Sequence, residues 1–123
     1  MKFTRDQTSK VTIRQFESGV IKVGDRLLRQ DLALTADEVI HDWPATAIAE
    51  LTEADLEPLL ASDPELILLG TGRLPVFPPR ELVFALARRG VGLEAMDTAA
   101  ACRTFNILVS EGRRVAAVLI VNE

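Results

Sequence analysis

Residues 65–72 read Glu-Leu-Ile-Leu-Leu-Gly-Thr-Gly, a short apolar run that ends in two glycines. An uninterrupted apolar stretch of about four to eight residues between turn residues is typical of a strand that is buried on both faces of a sheet. Glycines directly after such a strand allow backbone torsions and close approaches that other residues do not. Because ligands of open α/β sheets bind outside the carboxyl ends of the strands, this segment indicates where a functional site would lie.

Length and composition are those of one soluble globular domain over residues 1–123. Apolar residues make up 48% of the chain and charged residues 26%. A single cysteine, Cys102, excludes an internal disulfide framework and fits a reducing compartment. Residues 1–10 are polar and lack the apolar core of a signal peptide, and no run approaches the roughly 20 apolar residues that cross a bilayer. We therefore expect a cytoplasmic protein without membrane insertion.

The charges are distributed unevenly along the chain. Residues 30–72 carry ten acidic residues and no Lys or Arg, whereas residues 1–29 carry seven bases and three acids and residues 73–123 carry seven bases and five acids. Phosphate binding needs clustered Lys and Arg, so the acidic middle argues against a nucleic-acid partner. It either faces a basic partner protein or forms a solvated outer face, and the second explanation is the simpler one.

The first half of the chain has the pattern of short strands separated by turn residues. Strands are predicted at residues 11–17, 20–23, 26–29, 32–34 and 38–41, the last of them closed by Trp43-Pro44. Turns at Ser18-Gly19 and Gly24-Asp25 connect the first three strands closely enough to predict an antiparallel meander.

The second half alternates helices with strands. One helix starts at the N-cap candidate Thr52 and stops near Asp63-Pro64, a second has Pro79 at its first position and Gly90 after its end, and a third has Thr98 as N-cap and Gly112 as its stop. The intervening strands are predicted at residues 66–69, 91–95 and 115–121. This order predicts an α/β fold whose parallel or mixed sheet is covered by helices on both sides.

The Gly70-Thr71-Gly72-Arg73 turn is the first candidate for binding. Position 75 is Pro75 rather than the third glycine of a dinucleotide fingerprint, and the Gly-Lys-Ser/Thr of a phosphate P-loop is missing. Two backbone amides and a guanidinium can still hold a carboxylate or phosphate. A plain sharp turn explains the same residues, and the sequence leaves both readings open.

Met96, Asp97 and Thr98 end the following strand and belong at the same edge of the sheet. Helix capping is the simpler role for Asp97 and Thr98. Asn106 is an unusual residue inside a helix, and we expect it to be partly buried, with its side chain bonded to the backbone of the turn at 70–73 or the turn at 96–98. The predicted ligand-binding residues are Gly70, Thr71, Gly72, Arg73, Met96, Thr98 and Asn106.

Residues 74–79, Leu-Pro-Val-Phe-Pro-Pro, form an apolar loop stiffened by three prolines. Such a loop loses little entropy when it contacts a partner. Val76 and Phe77 either form an exposed interaction surface or pack against the next helix as part of the core, and the sequence favours neither.

The residues that usually carry catalysis are scarce. The chain has one histidine, His41, and one cysteine, and it has no CxxC or HxxxH spacing and no Gly-x-Ser-x-Gly elbow. We therefore expect no metal, no cofactor and no catalytic residue, and we read Cys102 as a small buried apolar side chain.

Several motifs together resemble one family. They are Leu-Ile-Leu-Leu-Gly-Thr-Gly at 66–72, Met96-Asp97-Thr98, Thr104-Phe105-Asn106-Ile107-Leu108 and Glu111-Gly112-Arg113. This combination is similar to the small α/β "Mth domain" family of uncharacterised archaeal and bacterial proteins. Animal relatives of that family are an adipogenesis-associated protein and a mitochondrial assembly factor for respiratory complex I (NADH dehydrogenase). Phe105 stands where the family often has Tyr, which argues against a catalytic acid there.

The resemblance implies a three-layer α/β fold with a central mixed sheet, helices on both sides and an N-terminal antiparallel β meander. It implies no established reaction, and the animal relative suggests assembly of complex I through protein contacts. Our first hypothesis is thus a non-enzymatic binding module with an unidentified protein partner. The alternative is an enzyme or a binding protein for an anionic small molecule, with a cleft at Gly70-Thr71-Gly72.

Overall fold

The computed structural model describes residues 11–40, 43–44 and 46–122. Its eight strands are Ile13–Glu17 (β1), Val20–Val23 (β2), Arg26–Leu28 (β3), Leu32–Thr35 (β4), Val39–Ile40 (β5), Leu66–Gly70 (β6), Gly92–Met96 (β7) and Val115–Leu119 (β8). Its α-helices are Glu53–Leu60 (α1), Arg80–Arg88 (α2) and Thr98–Ser110 (α3), and a short 3-10 helix spans Ile48–Glu50.

The strands form two sheets. Strands β1, β2 and β3 make an antiparallel meander, and the other five make a sheet in the order β5-β4-β8-β6-β7. In this central sheet β6 runs parallel to both β7 and β8, while β4 is antiparallel to β5 and β8. The predicted mixed sheet and the N-terminal meander are confirmed.

Each face of the central sheet carries its own hydrophobic core. Side chains of α3 and the meander, including Phe105 and Ile21, pack on one face, while those of α1 and α2, including Leu56 and Leu86, pack on the other. The result is the three-layer α/β arrangement that the sequence predicted.

Strand β6 lies in the interior of the central sheet because its side chains are apolar on both faces. Ile67 and Leu69 join the core beneath α1 and α2, and Leu68 joins the core beneath α3. All three side chains are buried. The continuous apolar run at 66–69 therefore has the doubly buried position that was predicted for it.

The ends of α1 and α2 follow local sequence signals with one small difference. Thr52 forms the predicted cap of α1, a reciprocal pair of hydrogen bonds with Asp55. Gly90 follows α2 with φ of 79°, as expected for a glycine just past a helix end. Pro79, predicted at the first helical position, is instead the N-cap of α2, and its carbonyl accepts a hydrogen bond from the Leu82 amide.

The strand bounds differ from the prediction by a few residues. Strand β1 starts two residues later than predicted, β7 is shifted by one residue, and β8 ends at Leu119 rather than at Val121. The bounds differ because apolar residues continue past the last ladder hydrogen bond: Val11 and Val121 are buried although neither lies in a strand. Of the predicted strand at 38–41, Val39–Ile40 is formed, and His41 lies outside the described residues.

Candidate functional site

The carboxyl ends of β6 and β7 lie side by side, as the sequence predicted. Gly70 is the register partner of Met96. The Thr71 amide donates to the Met96 carbonyl (2.9 Å), and the Thr98 amide donates to the Gly72 carbonyl (2.9 Å). The turn after β6 and the turn after β7 are thus joined directly, through their backbones.

Thr98 is not the N-cap of α3, so that prediction was wrong. Asp97 takes the position, because its carboxylate accepts a hydrogen bond from the Ala100 amide (2.8 Å). Thr98 is the first residue of the helix and is 0% exposed. Its hydroxyl accepts from the Gly72 amide (2.8 Å) and donates to the Ile120 carbonyl (2.8 Å). One side chain therefore holds together the end of β6, the start of α3 and the chain beyond β8.

The Thr71 hydroxyl holds the start of the proline-rich loop. It donates to the Leu74 carbonyl (2.7 Å), lies 3.2 Å from the Met96 carbonyl and accepts from the Val76 amide (3.2 Å). Thr71 is buried, and its hydroxyl turns the chain back immediately after the sheet. Residues 74–76 consequently leave the sheet edge in a defined direction.

The hydrogen bonds at the turn after β6 use the backbone amides that the predicted anion site would need. The amides of Thr71 and Gly72 both donate within the protein. Arg73 is exposed and has no ion pair among the residues that the structure describes. Gly70 and Thr98 are buried, and Met96 is partly buried. Ligand binding by these residues stays a prediction.

Asn106 is partly buried, as predicted, but its predicted partners were wrong. Its side-chain amide donates to the Ile13 carbonyl (2.7 Å), and its side-chain oxygen accepts from the Ile13 amide (3.0 Å). The side chain pairs with β1 as a residue of a neighbouring strand would do. Asn106 therefore fastens α3 to the meander instead of bracing the turns at 70–73 and 96–98.

We expect Asn106→Ala to lower the free energy of unfolding by about 1–2 kcal/mol, because it leaves two backbone groups of Ile13 without their partner. Urea denaturation measures the change. Asn106→Asp keeps the acceptor but sets a carboxylate oxygen against the Ile13 carbonyl oxygen, so it should not restore the stability of the wild type. Equal stability of Asn106→Ala and the wild type would contradict the assigned role.

An apolar surface lies on the loop between β6 and α2. Phe77 is 79% exposed and Leu74 is 74% exposed, and Val76 is also exposed. Phe84 on α2 adds a second aromatic ring that is 54% exposed. The Phe77 ring therefore lies on the surface and not in the core, and its role in an interaction stays a prediction. We call Leu74, Val76, Phe77 and Phe84 the apolar surface.

Part of the acidic stretch at residues 30–72, which we call the acidic segment, is paired with arginines. Arg89 binds Glu53 (2.7 Å) and Glu57 (3.1 Å), and Arg113 binds Glu65 (2.9 Å). The hydrogen bond from Arg113, aided by one from the Arg114 amide, lowers the pKa of the Glu65 carboxyl group. These solvated pairs connect the acidic segment to Arg89, just after α2, and to Arg113, just before β8.

The remaining reactive groups offer little chemistry. Cys102 is buried, and burial raises the pKa of its thiol to about 12, which keeps it protonated at neutral pH. Within the described ranges, no three His, Cys, Asp or Glu side chains are grouped so that they could hold a metal ion.

Comparisons with known proteins give one family and several relatives. The family described as "Protein of unknown function (DUF498/DUF598)" matches residues 13–120. A "13 kDa major membrane protein" of Francisella tularensis is 31% identical over 102 residues, which are 82% of this chain and 81% of that protein. The NADH dehydrogenase 1 alpha subcomplex assembly factor 3 of Xenopus tropicalis is 34% identical over 120 residues. That match covers 94% of this chain but 64% of the assembly factor, so this chain spans less than two thirds of that relative.

The fold has a close counterpart among solved structures. The solution structure of a Bordetella pertussis protein, described as a Mth938-like domain, superposes with a TM-score of 0.78 at 32% identity. The superposition covers 98% of this chain and 92% of that one, so the fold is Mth938-like. In the part of the chain that the structure describes, no helix is both long enough and apolar enough to cross a bilayer.

Proposed function

The chain belongs to the DUF498/DUF598 family, and we propose that it is a non-enzymatic binding module that assists assembly of a respiratory complex through protein contacts. The observation that carries this proposal is the apolar surface, whose Phe77 ring is 79% exposed on a loop stiffened by prolines. Exposed apolar groups that are clustered and held in place are typical of protein-binding surfaces. The name of the Xenopus relative points to complex I as the assembly concerned.

The way the loop is held supports binding with little loss of entropy. Thr71 fixes its first residues by hydrogen bonds to Leu74 and Val76, and Pro79 caps the helix at its other end. A segment that is already ordered has less conformational freedom to lose when a partner binds. Aromatic side chains on such a segment are the usual anchors of an interface.

We propose a cytoplasmic location, since a single cysteine in a buried, protonated state suits a reducing compartment. We propose a protein rather than a nucleic acid as the partner, because Arg89, just after α2, and Arg113, just before β8, are paired with carboxylates.

We expect Phe77→Ser to weaken capture of the partner at least about tenfold, which corresponds to about 1.4 kcal/mol of binding free energy. Tagged protein is purified from its native host after cross-linking, and the co-purified proteins are quantified. Leu27→Ser is the matched control, because Leu27 is 60% exposed but lies on the meander. It should recover the partner at the wild-type level.

The same variants are then returned to a deletion strain. The amount of assembled complex I should fall in the deletion strain and recover with the wild type and Leu27→Ser, but not with Phe77→Ser. Normal complex I in the deletion strain, together with recovery of the tagged protein alone, would lead us to abandon the proposal.

The alternative is an anionic small molecule bound beside Gly72, and the observation that favours it is the exposed Arg73, which has no ion pair with any residue that the structure describes. A thermal-shift screen with anionic metabolites separates the two proposals, because a ligand of the folded state raises the melting temperature. A rise that disappears in Arg73→Ala supports the small-molecule site. Equal shifts in Arg73→Ala and the wild type argue against it.

A further inference from the structure

A groove lies between the start of α1 and the start of α2, away from the turns after β6 and β7. Its volume is about 370 Å³, near the lower end of the range for ligand pockets, roughly 300–1,000 Å³. Apolar groups form much of its lining, and they are Leu51, Pro79, Leu82 and Ala85. A space of this size and lining suits a few apolar side chains of a peptide segment.

The charged groups of the groove all have one sign. Glu50, Glu53 and Glu81 line it, and none of the lining residues is Lys or Arg. The carboxylates of Glu50 and Glu81 have no hydrogen bond or ion pair with any residue that the structure describes. Within the described part of the chain, two carboxylates therefore lie beside an apolar lining without a cationic partner.

Neighbouring carboxylates on α1 show how an arginine binds at this end of the protein. On the side of α1, Glu53 together with Glu57 binds the guanidinium of Arg89 at 2.7 and 3.1 Å. The hydrogen bonds that Arg89 donates to these two carboxylates raise the pKa of its guanidinium group. Glu50 and Glu81 carry the same carboxylate chemistry and have no cationic partner among the described residues, so a Lys or Arg from another molecule would complement them.

The groove adjoins part of the apolar surface. Glu81 and Phe84 are three residues apart on α2 and therefore neighbours on the surface of that helix. Pro79 lines the groove and lies two residues after Phe77 in the chain. A bound segment that reaches from the groove to Phe84 would contact acidic and apolar groups in turn.

We propose that this groove binds a cationic amphipathic segment of the protein partner, an inference that rests on the proposed function and specifies the partner's chemistry. Apolar side chains of the segment lie against Leu51, Leu82 and Ala85, and its Lys or Arg side chains bind Glu50 and Glu81. A second copy of the chain is a poorer occupant, because its net charge is −4 and its middle segment is acidic.

The test uses a synthetic amphipathic helical peptide of Leu and Lys as the probe, titrated into isotope-labelled protein and followed by two-dimensional NMR. We expect chemical-shift changes concentrated at the amides of Leu51, Leu82 and Ala85. A peptide with the same composition in scrambled order, and a Leu/Glu peptide in the amphipathic order, should bind at least about tenfold more weakly.

The matched variants separate the groove from the general acidity of the protein. The double variant Glu50→Gln/Glu81→Gln should weaken binding of the probe at least tenfold, a loss of about 1.4 kcal/mol. The double variant Glu38→Gln/Glu111→Gln removes the same charge at exposed positions outside the groove, and it should bind as the wild type does. Equal weakening in both double variants, or shift changes spread over the whole surface, would overturn the inference.

Capture of the natural partner distinguishes a failure of this inference from a failure of the proposed function. If Phe77→Ser abolishes capture of the partner while Glu50→Gln/Glu81→Gln leaves it unchanged, this inference fails and the proposed function stands. If the probe binds the groove but no partner is captured from the host and complex I is normal without the protein, the proposed function fails.

Discussion

Thr98→Val is expected to lower the free energy of unfolding by about 2–4 kcal/mol. Valine has nearly the shape of threonine, so the change removes the hydroxyl and leaves the packing almost unaltered. The buried amide of Gly72 loses its acceptor, and the carbonyl of Ile120 loses its donor. An unsatisfied buried polar group costs about 1–3 kcal/mol, and the second lost hydrogen bond adds about 0.5–1.5 kcal/mol.

Urea denaturation followed by circular dichroism measures this loss. Thr98→Ser is the control, because it keeps the hydroxyl and loses one methyl group, so it should retain most of the stability. If Thr98→Ser were as unstable as Thr98→Val, packing of the methyl group would explain the effect and the hydrogen-bonding role of Thr98 would be rejected.

Gly70→Val is expected to cost about 3 kcal/mol, the upper part of the range for overpacking a core. A Cβ atom at Gly70 would lie 2.9 Å from Cδ2 of Leu119, 3.1 Å from Cβ of Ala101 and 3.1 Å from Cα of Thr98. The Leu119 methyl group can move, but the backbone of α3 at Thr98 can move only with the whole start of the helix. The glycine therefore allows α3 to approach the sheet closely enough for the Thr98 hydroxyl to reach Gly72.

Gly92→Val is the matched control, since Gly92 lies on the neighbouring strand β7. Its added Cβ would lie 3.2 Å from the flexible end of the Leu66 side chain and 3.7 Å from the Glu65 carbonyl oxygen. Leu66 can change its position at little cost, so Gly92→Val should be clearly more stable than Gly70→Val. Equal midpoints in thermal or urea unfolding would show that close approach of α3 is not what requires glycine at position 70.

Both predictions concern the contact between the end of β6 and the start of α3, next to the loop that carries Phe77. Gly70 and Thr98 hold the end of β6 against α3, and Thr71 then directs the chain into the loop that carries Phe77. Gly-Thr-Gly and Met-x-Thr are therefore explained by the construction of the fold. In the proposed function, the same contact holds the start of the partner-binding loop in place through Thr71.

The sequence alone was sufficient for the fold class and for most of the elements. The apolar run at 65–72 predicted a doubly buried strand, and Thr52 and Gly90 were correctly placed at helix ends. These features depend on periodicity and on hydrogen bonds between residues close in the chain, such as Thr52 with Asp55, three positions apart. Local rules of this kind can be applied to a sequence without knowledge of its tertiary contacts.

The tertiary structure decided the roles of the polar side chains and the exposure of the loop. Asp97 and Thr98 are both good caps, and Thr98 lost that role to Asp97 because folding brings its hydroxyl to Ile120, 22 positions away. Asn106 was expected to need a buried partner, but the partner is Ile13, 93 positions away in the meander. Phe77 also depends on the tertiary structure: an apolar residue in a proline-rich loop can fold inward or outward, and here its ring is 79% exposed while Leu82 and Leu86 of the adjoining helix belong to the core. The chemistry of a polar side chain thus determined that it needs a hydrogen-bond partner. The packing of elements distant in sequence determined which group became that partner.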